Sequence, residues 1–480
     1  MITGIIKNEK LRYPSVDTAF SPSEPYPEYP FAGGLASTKN TVYEAVRNLL
    51  INLRLDEKNI GTPKWNPLGE YINKEAKVFV LCNFVYHRKP YETEEEFFSK
   101  CTHGSVLRPI IDYIIIAAGK SSSISFGNAP LQSCNWEKVI KDTHADELVK
   151  FYASEKIKVE AKDLRMTVSE RDFLGNIISE KTSNTGGVVE VNLDDASFLR
   201  KVSEARDIPR YRVLDYNPDK TEQYQNLNKH RYLINKNILE SDVIFSVPKL
   251  KTHEKVGVTL GIKGMVGIVG HKDCLAHHRS GAPELGGDEY PDSNVIREWY
   301  SSFHDFVQRR QYHFLLRSFF YVLDTNFSRI IRRLMGGVAA GSWHGNDTAW
   351  RMALDLTKIA HFSDSNGVMC PEEKRKHLVL IDAIIGGEGE GPLSPRPVHT
   401  KAIIFSDNLF AGDYISAQIM KTDPNRIPLI YNAFGFLNHA SKGLPEGQAV
   451  NFNGKDLNIL EVKNKFTKKY ELSKGWIGHA

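Results

Sequence analysis

The densest set of reactive side chains in this 480-residue sequence is VPKLKTHEKVGVTLGIKG, where Lys249, Lys251, Thr252, His253, Thr259 and Lys263 fall within one short segment. Lys263 is embedded in the apolar, glycine-spaced stretch GVTLGIKGMVGIVG. A lysine in such surroundings has a depressed pKa and suits base or Schiff-base work. Lysines on a solvated face are the competing reading, and the apolar neighbours of Lys263 weigh against it.

Four other segments carry candidate chemistry. THGSVLRP sets His103, Ser105 and Arg108 at the entry to a helix, where amides, a hydroxyl and a guanidinium can meet an anion. Equally, Ser105 there is a cap and Arg108 a surface ion pair. GNAPLQS puts Asn128 at the C-terminal end of a strand, where open α/β sheets place ligand contacts, although a turn-forming Asn beside Gly and Pro is ordinary. In IDAIIGGEGEGPLSPRP a strand ends in Asp382 and a Gly/Glu loop follows; Glu388 and Glu390 would hold a cation or act as acid and base, or the loop is simply solvated. HKDCLAHHRSGAPELGGDEYP offers His277 and His278 to a metal, but adjacent histidines point different ways on a helix and the HExxH spacing is missing.

These segments need a scaffold, and the chain reads as α/β: two lobes with mainly parallel sheets, a helical insertion, and a cleft between the lobes. KVFVLCNFV, SISF, SDVIFSVPKLKTH, HLVLIDAII and KAIIFS read as buried strands, with a loop beginning at Pro248. VYEAVRNLLINLRL, VLRPIIDYIIIAAG and LFAGDYISAQIMK read as helices, the second with Pro109 in its first turn and Gly119 at its C-cap. The expected division is an extended arm over 1–40, a first lobe over 41–240, a second over 241–293 and 337–480, and a basic amphipathic insertion over 294–336. Within that insertion arginines at 297, 309, 310, 317, 329, 332 and 333 alternate with Phe, Tyr, Leu and Ile. It suits either a membrane surface or anionic partner, or a helical hairpin packed on the body with its arginines solvated or paired.

Composition removes several classes of function. A net charge of +4, from 62 Lys+Arg against 58 Asp+Glu, gives no field suited to nucleic acid. The five scattered cysteines form no CxxC pair, which fits a reducing compartment and leaves no iron–sulfur cluster expected. With no signal-peptide pattern and no apolar run long enough to span a bilayer, the expected location is cytoplasmic.

The order HGSVLRP, GNAP, SDVIFSVPKLKTH…GVTLGIKGMVG, GNDTAWR, DAIIGGEGEGP and AGDYISAQIMKTDP resembles the family called domain of unknown function 362, from about Lys77 to Pro428. Many members carry a ferredoxin-like cysteine cluster that this chain lacks. A more distant similarity is to the nickel-pincer lactate racemases. Their lysine, which anchors the cofactor, follows a histidine by ten positions, as Lys263 follows His253, and a metal-ligating histidine lies beyond, as His277 or His278 does here. GNAP stands where those racemases carry a histidine-bearing loop. The resemblance implies a divalent metal or a lysine-linked metal cofactor, with racemase- or isomerase-like or redox chemistry. The residues themselves lead to an enzyme for a small anionic metabolite, moving a proton or hydride at carbon: Arg108, Lys249 and Lys251 bind the anion, His253 and Lys263 act as acid/base or attachment point, and Asp382, Glu388 and Glu390 close the site. The alternative is a non-catalytic ligand-binding or assembly factor at the inner membrane surface.

Overall fold

The computed structural model describes residues 1–171, 177–183, 186–204, 210–214, 216–310, 316–334, 338–434 and 448–480. An eleven-stranded mixed sheet runs through it, formed by β1 (Thr3–Lys7), β2 (Val78–Cys82), β3 (Ile124–Asn128), β4 (Val159–Asp163), β5 (Val243–Val247), β6 (Lys249–His253), β7 (Gly257–Val258), β8 (Lys376–Glu390), β9 (Ser394–Ser406), β10 (Val450–Phe452) and β11 (Lys455–Leu457). The order is β11-β10-β1-β9-β8-β5-β2-β3-β4, and β6 pairs with β8 and β7. β2, β3, β4, β5 and β8 run parallel, while β8 and β9 form a long antiparallel hairpin.

The strands read as apolar runs because both faces of the sheet are covered. Val78, Val80 and Cys82 of β2 enter one apolar cluster, and Phe79 and Leu81 enter the other. The first cluster is built by α1 (Thr41–Asn52), α2 (Gly104–Ala118) and α3 (Ala145–Ser154). On the second face lies α4 (Leu260–Gly264). The chain then leaves as a hairpin, α5 (Val295–Arg309) and α6 (Arg317–Leu334), and returns as α7 (Ala349–Phe362) and α8 (Leu409–Ile419). Strands assigned by sequence to separate lobes pair directly, Val243–Val247 in register with Val78–Cys82, so one sheet joins both expected lobes.

Several local expectations change. Thr3–Lys7 is a strand of the sheet and not part of an extended arm, since its apolar residues face both clusters beside β9. α2 begins at Gly104, because the His103 ring accepts the Ser105 amide as its cap, and this moves Pro109 into the second turn. Gly119 closes the helix as expected. No loop begins after Pro248: the chain re-enters the sheet at once as β6, with Lys249 opposite Asp382 and Lys251 opposite Gly387.

The Gly/Glu segment is likewise strand, with Gly386 opposite Val398 and Glu388 opposite Arg396. Its glycines admit close neighbours: a Cβ on Gly387 would lie 2.7 Å from the Ser99 carbonyl oxygen, and one on Gly391 would lie 2.1 Å from that of Thr252. These contacts hold the β8–β9 tip against β6. Gly391→Ala should therefore lower stability by about 1–3 kcal/mol or more, as expected of overpacking against backbone. Gly264→Ala, whose new methyl meets no atom within 4 Å, should stay near wild type. Thermal unfolding of the two variants checks this, and equal melting temperatures would contradict it.

Candidate functional site: a lysine-lined cavity

β6 alternates its side chains, so Lys249, Lys251 and His253 share one face and step along the strand toward its C-terminal end. The chain turns back through β7 and then enters α4, whose first turn is held from α8. Asp413 accepts the Gly261 and Ile262 amides, both at 2.8 Å, and its burial raises its pKa to about 7. Leu260, at φ +46°, takes the sharp turn between β7 and α4. Asp413 thereby fixes the helix that carries Lys263.

The end of β6, α4 and the segment 266–277 enclose a cavity of about 160 Å³. Lys251, His253, Lys255, Lys263, Lys272 and His277 line it, with Asn83, Asn128 and Thr259. Phe84, Val85, Leu131, Val213, Tyr216 and Leu393 supply an apolar wall. Among the described residues Glu254 is the acidic member of that lining, against four lysines.

Burial governs the titration of these groups. It lowers the pKa of Lys251 to about 7 and that of Lys272 to about 7, with further lowering from neighbouring lysines. It lowers Lys263 to about 8, with Lys255 adding to the effect. The Lys251 ammonium donates to the Lys100 carbonyl at 2.9 Å, and Lys272 to that of Ala129 at 2.8 Å. The Lys263 ammonium makes no hydrogen bond or ion pair among the described residues, and the residue is 7% exposed. His253 and His277 are held well below the usual imidazole range by burial and by Lys263. The His253 Nδ1 accepts the Lys255 amide, so the neutral ring carries its proton on Nε2. Asn83 Oδ1, Asn128 Oδ1, Thr259 Oγ1 and His277 Nδ1 are buried without a hydrogen-bond partner among the described residues. Buried polar atoms are usually satisfied, so this many orphans around one cavity mark a place for a ligand or water.

Other sequence candidates lie elsewhere. Lys249 forms an ion pair with Asp382 at 3.0 Å, both side chains fully buried, and the Tyr13 hydroxyl donates to the same carboxylate at 2.7 Å. Tyr13 stacks on His103, which extends this polar chain to the cap of α2. Arg108 is paired with Asp112 at 3.0 Å, donates to the Ala19 carbonyl and the Tyr29 hydroxyl, and lies 3.7 Å over the Phe151 ring, so it is spent on holding the N-terminal segment to α2. The Ser105 hydroxyl is buried without a partner among the described residues. Thr252 donates to the Gly389 carbonyl. Glu388 pairs with Lys468 at 3.0 Å, and Glu390 accepts the Lys474 amide, so both bind the C-terminal segment.

Sequence reasoning missed Lys272, Lys255, Asn83 and Asp413. Lys272 carried the same signal as Lys263, a lysine beside the glycine-spaced stretch, but stood among histidines that drew attention to metal. Nothing local distinguishes Asn83 or Asp413; only the fold brings them to the cavity and to α4.

His253, Lys263 and His277 do line one cavity. Among the described residues, however, no three His, Cys, Asp or Glu side chains are grouped so as to hold a metal ion. The donor set among the described residues therefore does not fit a metal held by side chains alone.

An unpaired buried lysine costs stability wherever the unfolded chain would protonate it. Lys263 titrates near 8 when folded and near ~10.4 when unfolded, so the unfolded state binds more protons between those values and stability falls as pH drops through them. Lys263→Met should then be more stable than wild type at pH values below about 8, by up to about 3 kcal/mol, and the advantage should shrink toward about pH 10. Thermal unfolding of both proteins across that range measures it; a wild type that is the more stable at neutral pH would contradict it.

No curated protein matches this chain. Residues 196–418 match the family model described as Domain of unknown function (DUF362), a segment that includes β5, β6, α4 and the four cavity lysines but excludes HGSVLRP and GNAP. Over that segment the chain is similar to the DUF362 family.

Proposed function

We propose that the cavity binds a small metabolite bearing a carboxylate or phosphate on an apolar body, and that Lys263 and His253 move a proton at the carbon beside the anionic group. The observation that carries this reading is the convergence of buried Lys251, Lys263 and Lys272 on a cavity whose described lining holds four lysines and one acid, Glu254. A ligand anion would supply the missing counter-charge, and the orphaned Asn83, Asn128 and Thr259 oxygens would meet donors on the ligand or on water. The apolar wall of Phe84, Leu131, Val213 and Leu393 accounts for a body that is not charged.

The division of labour follows from what each group already does. Lys251 and Lys272 are anchored to backbone carbonyls and would hold the anion. Lys263 is not anchored, and with a pKa of about 8 it exists near neutrality in both forms, as a general base or acid must. His253, neutral and with its proton on Nε2, can donate to an oxygen on which charge develops. Asp413 is a positioning residue for Lys263 and needs no contact with the ligand.

Benzoate and phenyl phosphate serve as probes. Either should raise the melting temperature of the wild-type protein in a dose-dependent way, with affinity falling as pH rises through about 7–8 because the anion needs protonated lysines. Lys263→Met and Lys251→Met should each weaken binding by roughly tenfold or more, the loss expected for one charge-assisted contact. Gly264→Leu, which places a side chain in open space beside Lys263, should fold and exclude the probe. Stabilisation by neither anion, or equal stabilisation of wild type and all three variants, would overturn the reading.

A further inference from the structure

We propose that the outer face of the α5–α6 hairpin lies on the surface of a membrane that carries anionic lipid. The inner face of the hairpin is spoken for: Tyr300 and Ile331 pack with Tyr290 and Ala339, Asp305 pairs with Arg212 at 2.7 Å, and Arg309 pairs with Asp219 at 2.9 Å. These contacts fix the hairpin to the body and turn its other side outward.

That other side is unusually apolar. On α5, Val295, Ile296, Trp299 and Phe306 are exposed at helical spacing; on α6, Phe319, Ile330 and Leu334 are exposed, with Leu316 just ahead of them. The two stripes are continuous, because Trp299 and Phe303 both meet Phe327 edge-on and Phe306 meets Phe320. Isolated exposed apolar residues are normal, but a patch built of two adjacent helices marks an interaction surface.

Charge decides the occupant. α6 contains Arg317, Arg329, Arg332 and Arg333 against the single acid Asp324, and that carboxylate is taken by His304 at 2.9 Å. Arg329 and Arg333 are exposed beside Ile330 and Leu334 and make no ion pair among the described residues. An amphipathic helix pair with tryptophan, phenylalanine and leucine on one side and arginines at its border has the composition of an element lying in a lipid headgroup layer. Among the described residues no helix is long and apolar enough to cross a membrane, so the contact is made along the surface. The hairpin also touches the cavity wall, since His304 lies 3.4 Å from the Leu214 carbonyl and Leu214 lines the cavity.

The full-length protein should co-float with vesicles of phosphatidylcholine mixed with phosphatidylserine and not with phosphatidylcholine alone. Arg329→Glu with Arg333→Glu should weaken the association by at least roughly tenfold and remove most of its salt sensitivity. Ile330→Ser with Leu334→Ser should weaken it comparably, and both double variants should keep the wild-type melting temperature because the side chains are exposed. No flotation with either vesicle, or flotation undiminished in both variants, overturns the proposal. So does a dimer in light scattering that Ile330→Ser with Leu334→Ser abolishes, which would give the face to a second copy of the chain.

Discussion

An ammonium group taken out of water without a carboxylate beside it is among the least tolerated things a fold can hold, and this one holds several around a single cavity. The protein also shows what it does when a buried lysine is structural. Lys249, on the same strand face as Lys251, is given Asp382 and the Tyr13 hydroxyl at hydrogen-bonding distance. Two residues further along β6, Lys251 receives only a backbone carbonyl, and Lys263 across the cavity receives nothing among the described residues. The sheet thus separates a satisfied charge from unsatisfied ones within one strand.

Holding such charges in place requires a rigid surround. Glycines at 387 and 391 let the β8–β9 tip press against the backbones of Ser99 and Thr252, where any side chain would collide. Glu388 and Glu390, on the same tip, are spent on Lys468 and on the Lys474 amide. Asp413 ties the start of α4 to α8 and fixes the direction in which Lys263 leaves its helix. The stability lost at the lysines is offset by a sheet buried on both faces.

The α/β class, the strands at 78–82, 124–128 and 243–247, and the helices from Thr41 and near His103 were legible because apolar period and capping residues are local signals. Lys263 was legible for the same reason: an apolar, glycine-spaced neighbourhood around a lysine is visible in the sequence. Arg108 was not, since nothing in THGSVLRP reveals that Asp112, Ala19 and Tyr29 will occupy its guanidinium. The Gly/Glu segment misled in a different way. Its glycines report close approach of backbone, and its glutamates are held by Lys468, the Glu471 amide and the Lys474 amide, about eighty residues later in the chain, with Arg396 of the opposite strand beside Glu388. Joining the expected lobes into one sheet was likewise invisible, because strand pairing between 243–247 and 78–82 is a contact of long sequence separation.

The cavity, cationic and partly apolar, lies beside the hairpin, which meets its wall where His304 contacts the Leu214 carbonyl. Anion binding by the cavity lysines can be read from diffraction by crystals soaked in para-bromobenzoate. An anomalous bromine peak is expected against the apolar wall near Leu131 and Val213, with the carboxylate within hydrogen-bonding distance of the Lys263 ammonium and of Lys251 or Lys272. Bromine found only outside the cavity, or a carboxylate side chain of the protein itself paired with Lys263, would contradict it.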